Sequence, residues 1–376
     1  MQPFKLERYF AQYEFKVKYL LSPSDCESLS MQELLALAAP QERALWDGLR
    51  LGYTESAGHP RLRTQIASLY RQIDPDHVLV AAPEEAIYLA MRTLLHPGDH
   101  AIVLQPAYQS LYEVARSTGC VVTPWNFHRQ GRAWRLDLAE LQDSLQHNTR
   151  LLVINFPHNP TGYLPSEAEQ AAILAIAEAH GLAVFSDEMY RLLEYHPADR
   201  LPAVCDLYPR AISLSGLSKA YALPGLRMGW LVSQDAGLLA ACQAYKDYTT
   251  ICSSAPGEIL AIIALQAGEA ILARNLDIIR HNLEAAGRFF QRYAGHFSWL
   301  PPQAGSVAFP RWLGQPDIEA FCQVAVEQQG LMIVPGSLFD FPGDHFRLGL
   351  GRRDLPQALA RLEAYLPGLP ESAHSG

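Results

Sequence analysis

Residues 211–230 read A-I-S-L-S-G-L-S-K-A-Y-A-L-P-G-L-R-M-G-W. A short apolar run gives way to Ser215, Gly216 and Ser218, then to a single lysine, Lys219. Small residues with Pro224 and Gly225 follow, then a lone arginine, Arg227, and a second apolar run starting at Met228. A lysine set in sequence this apolar is expected to be partly desolvated. Desolvation disfavours the ammonium form and lowers the pKa, as a Schiff-base lysine requires. The competing reading is an ordinary lysine on a surface loop, and the rest of the chain decides between the two.

Outward from this stretch, short apolar runs alternate with stretches of helical length. The runs lie at 78–81, 101–104, 119–123, 151–155, 183–186, 211–214 and 228–232, with helical stretches at 84–95, 110–117 and 167–180 among them. Continuous apolar strands alternating with helices indicate an α/β fold, a mostly parallel sheet covered on both faces. The large domain is expected at about 46–270, and a smaller α+β domain at 271–376, with strands at 298–310 and 331–350. Residues 1–45 form an N-terminal segment expected to pack with the small domain. Within it Ser30 and Glu33 have the spacing of a capping box. Residues 371–376 read as disordered.

The chain has 376 residues, enough for about two domains, and half of them are hydrophobic. Its formal charge of -9 offers no basic excess to neutralise phosphates, which argues against nucleic acid as a partner. Six cysteines without a C-x-x-C pair read as free thiols in a reducing cytoplasm. No apolar run reaches membrane-spanning length. The thirteen histidines show no metal-ligand spacing, and no P-loop, dinucleotide fingerprint, zincin or nucleophile-elbow motif occurs.

Ligand-contacting residues in open α/β sheets collect past the carboxyl ends of the strands. Three candidates sit there: Asn159 in N-F-P-H-N-P-T-G, Asp187 in V-F-S-D-E-M-Y, and Lys219. Each has a bland reading alone, as a turn, a helix cap or a loop. An amide, a carboxylate and an amine at the same end of consecutive strands make a site.

From about Leu51 to Arg353 the chain resembles the class I/II aminotransferases, enzymes of fold type I that use pyridoxal 5'-phosphate. The resemblance implies that fold, with a seven-stranded sheet. It implies Lys219 as the amine that holds the cofactor aldehyde, and Asp187 as partner of the pyridine nitrogen, keeping the ring an electron sink. Asn159 and Tyr190 match the pair bonded to the ring's phenolic oxygen, and Tyr108 in Q-P-A-Y-Q matches the aromatic against the ring. Arg227 resembles the arginine that holds the cofactor phosphate. Tyr53 in L-G-Y-T-E-S-A-G resembles a tyrosine reaching that phosphate across a homodimer interface, which would make the active site shared. Arg347 in H-F-R-L-G-L-G matches the clamp for the substrate α-carboxylate, with Arg352 and Arg353 as rivals.

Two positions depart from the family pattern. The usual glycine-containing entry to the phosphate helix is here V-L-V-A-A-P-E-E-A-I. Pro83 has no N–H, so the amides of Glu84 and Glu85 are the expected donors, with both carboxylates turned away. Gly216 stands where many relatives carry a phosphate-binding serine, leaving Ser215 or Ser218 to supply the hydroxyl, with Ser218 preferred. His158 is either a substrate-facing or a turn histidine. The reaction implied is amino transfer between an α-amino acid and a 2-oxo acid, with Lys219 as proton carrier. The alternative is a lyase, decarboxylase or cyclase on the same cofactor, since Y-Q-S-L-Y-E, K-D-Y-T-T-I-C-S-S-A-P and S-P-S-D-C-E-S-L-S resemble capreomycidine-synthase-like members. A ligand-sensing DNA-binding regulator is the rival from another class, and residues before Leu51 are too few for its extra domain.

Overall fold

Six of the seven apolar runs become strands because each is buried along its whole length, which only a sheet covered on both faces allows; the run at 119–123 instead opens the longer, partly exposed strand Val121–Gln130. The computed structural model describes residues 1–131, 133–315 and 317–366. The expectation of disorder at 371–376 lies outside them.

The main sheet has the order Val78–Ala81, Gly229–Val232, Ala211–Gly216, Ala183–Asp187, Thr149–Asn155, His100–Gln105, Val121–Gln130, Ala133–Leu136. The five strands from Ala211–Gly216 to Val121–Gln130 are parallel, and Gly229–Val232 runs against both its neighbours. An eighth strand, Ala133–Leu136, folds back on the end of Val121–Gln130 and extends the expected seven.

Alternate residues of the central strands divide between two cores. Ala101, Val103, Leu151, Val153, Phe185 and Ile212 point to one face, where the helix Pro83–Leu94 packs on Ser110–Ser117 and Ala236–Lys246. Ile102, Leu104, Leu152, Ile154 and Val184 point to the other, under Leu138–Asp143 and Glu167–Ala179. Burying one such aliphatic side chain fully is worth about 1.5–3 kcal/mol, so both faces hold the sheet.

Beyond the sheet, the 25-residue helix Gly268–Arg292 leads to a three-stranded sheet in the order Val307–Ala308, Phe346–Gly349, Val334–Pro335. The N-terminal segment enters here. Tyr19–Leu20 pairs in parallel with Leu331–Met332, and the helix Met31–Ala36 starts with the expected Ser30/Glu33 capping box. Gly349 makes this entry possible: a Cβ there would lie 2.0 Å from the Pro23 carbonyl oxygen. Among the described residues no single helix is long and apolar enough to cross a membrane.

Candidate active site

Strand register sets the site. Asn155 lies opposite Asp187, and Asp187 opposite Leu214, so the loops carrying Asn159 and Lys219 leave the same sheet edge. The Asn155 side chain ties two of these loops together. Its Nδ2 donates to the Asp187 carbonyl at 2.8 Å, and its Oδ1 accepts from the Asn159 amide at 2.9 Å.

Asp187 is buried, and its carboxylate accepts from the Met189 amide at 3.0 Å. Burial nonetheless pushes its pKa from 3.8 up to about 6, against the pull of the Met189 amide and the Lys219 amine. The Lys219 amine donates to Ser24 Oγ at 2.7 Å and lies 5.9 Å from the centre of the Tyr190 ring. The residue is half-buried, yet burial among protein atoms pulls its pKa from 10.5 down to about 8, while Asp25 opposes the fall. The desolvated lysine expected from the sequence is therefore present.

Arg347, on the strand Phe346–Gly349, is 1% exposed. Its Nε donates to the Ser22 carbonyl at 3.1 Å and its Nη1 to Asn159 Oδ1 at 3.4 Å, but Nη2 is buried without a partner. The rings of Phe10 and Phe339 flank the guanidinium at 5.6 and 5.3 Å. A buried guanidinium with a free N–H is costly unless an anion completes it.

These side chains line one cavity of about 630 Å³, together with Tyr108, Tyr190, Ser218, Arg227 and Glu84. Among the described residues Ser218 Oγ is also buried without a partner, and the buried Tyr190 hydroxyl has only the Ser24 side chain close enough to act on it. The Tyr108 hydroxyl donates to Glu7 Oε1 at 2.7 Å. Arg227 adopts a left-handed backbone (φ 54°) and its Nη1 donates to the Pro224 carbonyl at 2.8 Å.

Gly216 is explained by packing. It faces Gly229 in the antiparallel register, and a Cβ would meet the Gly229 Cα and Met228 carbonyl at 2.9 Å, leaving no room for serine. Ser218 lines the cavity and Ser215 does not. The helix Pro83–Leu94 has Ala82 as N-cap with no side-chain hydrogen bond, which leaves the first-turn amides of Glu84 and Glu85 uncapped.

The expectation that both carboxylates turn away holds for only one of them. Glu85 accepts from the Thr250 hydroxyl at 2.8 Å, outside the cavity. Glu84 turns into it, because Pro83 and the helix start aim that position at the sheet edge. Although the residue keeps a solvent-facing side, burial of its carboxyl raises its pKa to about 7, which weakens its repulsion of an anion. Tyr53 is 92% exposed and lies neither in the core nor in the cavity of this chain. His158 is buried against Thr161 Oγ1 at 2.8 Å, away from the cavity, so the turn reading applies. Arg352 lines the cavity but is held by both Asp25 oxygens, at 3.1 and 3.0 Å, and Arg353 stands outside it.

Sequence reasoning missed the wall that the N-terminal segment supplies, namely Glu7, Phe10, Glu14, Ser24 and Asp25. Ser24 reaches Lys219 across 195 positions, and no local pattern announces it. Among the described residues no group of three or more His, Cys, Asp or Glu could hold a metal ion.

Known proteins share this architecture. The family model described as aminotransferase class I and II matches residues 19–362. Capreomycidine synthase from Streptomyces vinaceus is 32% identical over 369 residues, 96% of this chain and 93% of its own. A PLP-dependent aminotransferase from Streptococcus suis has a TM-score of 0.92 at 28% identity, covering 99% of both chains. The PLP-dependent cyclase OrfR has a TM-score of 0.88 at 29% identity, covering 98% of both.

Proposed function

The chain belongs to the class I and II aminotransferase family, and from that premise we propose how its residues divide the work. It is a pyridoxal-phosphate-dependent aminotransferase whose substrates are an amino acid and a 2-oxo acid. The residues present fit the cofactor. Among the described residues Ser218 Oγ is a buried donor without a partner, the buried Tyr190 hydroxyl has only Ser24 beside it, and no ion pair holds the buried Asp187 carboxylate, all on one cavity. The cofactor supplies an aldehyde that condenses with amines and a ring that withdraws electrons.

Lys219 would hold the cofactor through that aldehyde. With its pKa near 8 a useful fraction is neutral at physiological pH, so it also takes the proton from the substrate Cα and returns one as general acid. Asp187 provides the counter-charge to the pyridine nitrogen. Asn159 and Tyr190 would hold the ring oxygen, and Tyr108 would hold the ring. Ser218, Arg227 and the amides of Glu84 and Glu85 hold the phosphate. Arg347 orients the substrate by its α-carboxylate, which satisfies the free Nη2.

Tyr53 serves the site of a partner in a homodimer. What supports this is the apolar surface made by exposed Leu51, Tyr53, Tyr248 and Ile251, on two loops joined by the Thr54 hydroxyl to the Ser253 carbonyl at 3.2 Å. Residues 46–270 act as the cofactor-binding domain, with 1–45 packing on a small domain at 271–376. The β-pairing of Tyr19–Leu20 with Leu331–Met332 supports that division. Six unpaired cysteines suit a reducing cytoplasm.

The observation that carries the reading is the meeting of Lys219, Asp187 and Arg347 on one cavity. Borohydride reduction with added cofactor followed by peptide mapping tests it, and an adduct on any lysine but Lys219 refutes it. A second reading, cyclisation or elimination on the same cofactor, is favoured by the similarity to capreomycidine synthase and to the cyclase OrfR. Incubating amino acids with and without pyruvate or 2-oxoglutarate separates the two. Exchange that needs the keto acid is transfer, and product formed without it is the second reading.

A further inference from the structure

Residues 21–25, the strap L-S-P-S-D, meet each of three cations of the cavity in turn. The Ser22 carbonyl accepts from Arg347 Nε, Ser24 Oγ accepts from Lys219 Nζ, and the Asp25 carboxylate holds Arg352. The strap is itself fixed by its backbone. The Leu21 amide donates to the Met332 carbonyl at 3.0 Å, the Gly349 amide donates to the Leu21 carbonyl at 2.8 Å, and Ser306 Oγ donates to the Ser24 carbonyl at 2.7 Å. Removing the Ser24 hydroxyl leaves all of these bonds in place.

We propose that Ser24 is a positioning residue for Lys219: its hydroxyl oxygen takes one N–H of the free ε-amine and so fixes where the nitrogen lone pair points. The proposal rests on the reading of Lys219 as the cofactor-bearing amine. A lysine side chain ends in a freely rotating C–N bond, and an amine that must take a proton from one carbon works best with that rotation stopped. Among the described residues no other side-chain acceptor bonds this nitrogen. The groups that face it electrostatically are Asp25, Cys26 and Glu7, which favour its charge, and Arg347, which disfavours it. Asp187 and Tyr190 stand across the cavity. None of these fixes the torsion.

An acceptor oxygen also favours the charged amine over the neutral one, so its loss lowers the titration midpoint of the amine. That gives a readout independent of turnover. In the cofactor-free full chain, the Lys219 labelling rate with trinitrobenzenesulfonate is followed from pH 6 to 10 by peptide mass spectrometry. The expected midpoint of Ser24→Ala is lower than wild type by roughly 0.5–1 unit, and that of Ser24→Thr, which keeps a hydroxyl, stays with wild type. In the holoenzyme, exchange of the donor Cα proton with D2O, followed by NMR, is expected to slow about tenfold in Ser24→Ala with KM little changed. A Ser24→Ala midpoint and exchange rate that both match wild type overturn the proposal, as does failure of Ser24→Thr to restore either. Failure of the underlying reading looks different: wild type would then bear no reducible adduct on Lys219, whatever the labelling midpoints.

Discussion

Replacing Asp187 by Asn tests whether the chain keeps a buried carboxylate at the expense of its own stability. The folded-state pKa of Asp187 is raised from 3.8 to about 6, chiefly by burial. The folded chain therefore binds more protons than the unfolded chain between those values, and stability is lost as pH rises through that window. A shift of about two units, at about 1.4 kcal/mol each, makes the penalty on the order of 3 kcal/mol at pH 8 and about half that at pH 5. Asn has nearly the same shape, and its carbonyl can still accept from the Met189 amide, but it carries no charge to desolvate. The cofactor-free D187N chain should thus be more stable than wild type at pH 8 by about 1–3 kcal/mol, with the advantage shrinking toward pH 5. Added pyridoxal phosphate should reverse the order, because only the carboxylate can pair with a ring N–H⁺. Urea unfolding at both pH values, with and without cofactor, reads all four states. A variant no more stable than wild type at pH 8, or a difference that ignores pH, would mean that the carboxylate is already compensated and is not reserved for a cation.

Four further substitutions, at three positions, separate the remaining roles. Lys219→Ala should bind pyridoxal phosphate without a borohydride-reducible adduct, since Arg227, Ser218 and the helix amides remain; peptide mapping checks it. Arg347→Ala should lower kcat/KM for amino acids by about 30- to 1,000-fold, the 2–4 kcal/mol of a buried charge-assisted pair, while leaving cofactor absorbance intact. Arg347→Lys should recover little of that loss, because a lysine has no planar fork. Gly349→Ala should displace the strap, since the new Cβ would meet the Pro23 carbonyl oxygen at 2.0 Å, and the expected result is a lower melting temperature together with a raised KM for the amino donor.

What could be read from the sequence follows from how far apart the determinants lie. Each central strand is buried on both sides, so each shows as an unbroken apolar run, and the residues just past those runs, Asn159, Asp187 and Lys219, fall on one edge by topology alone. The Gly216 departure was visible but not its cause, which is a backbone contact with Gly229 across two antiparallel strands. Glu84 was expected to turn away because an anion repels an anion, but its place in the first helical turn points it at the cavity. The strap stood out only by its resemblance, and its contacts were illegible for a different reason: L-S-P-S-D has no period, and its partners stand 195 and more positions away. The consequence concerns how the protein fails as much as how it was read. The sheet can place Asp187, Asn159 and Lys219 without help, but Arg347 and the Lys219 amine are held by residues that arrive only when the N-terminal segment docks beside Leu331–Met332. A change to the contacts that Ser22, Ser24 and Asp25 make is therefore a change to the active site and should weaken substrate handling, whereas a change at the core residue Leu21 should cost stability as well.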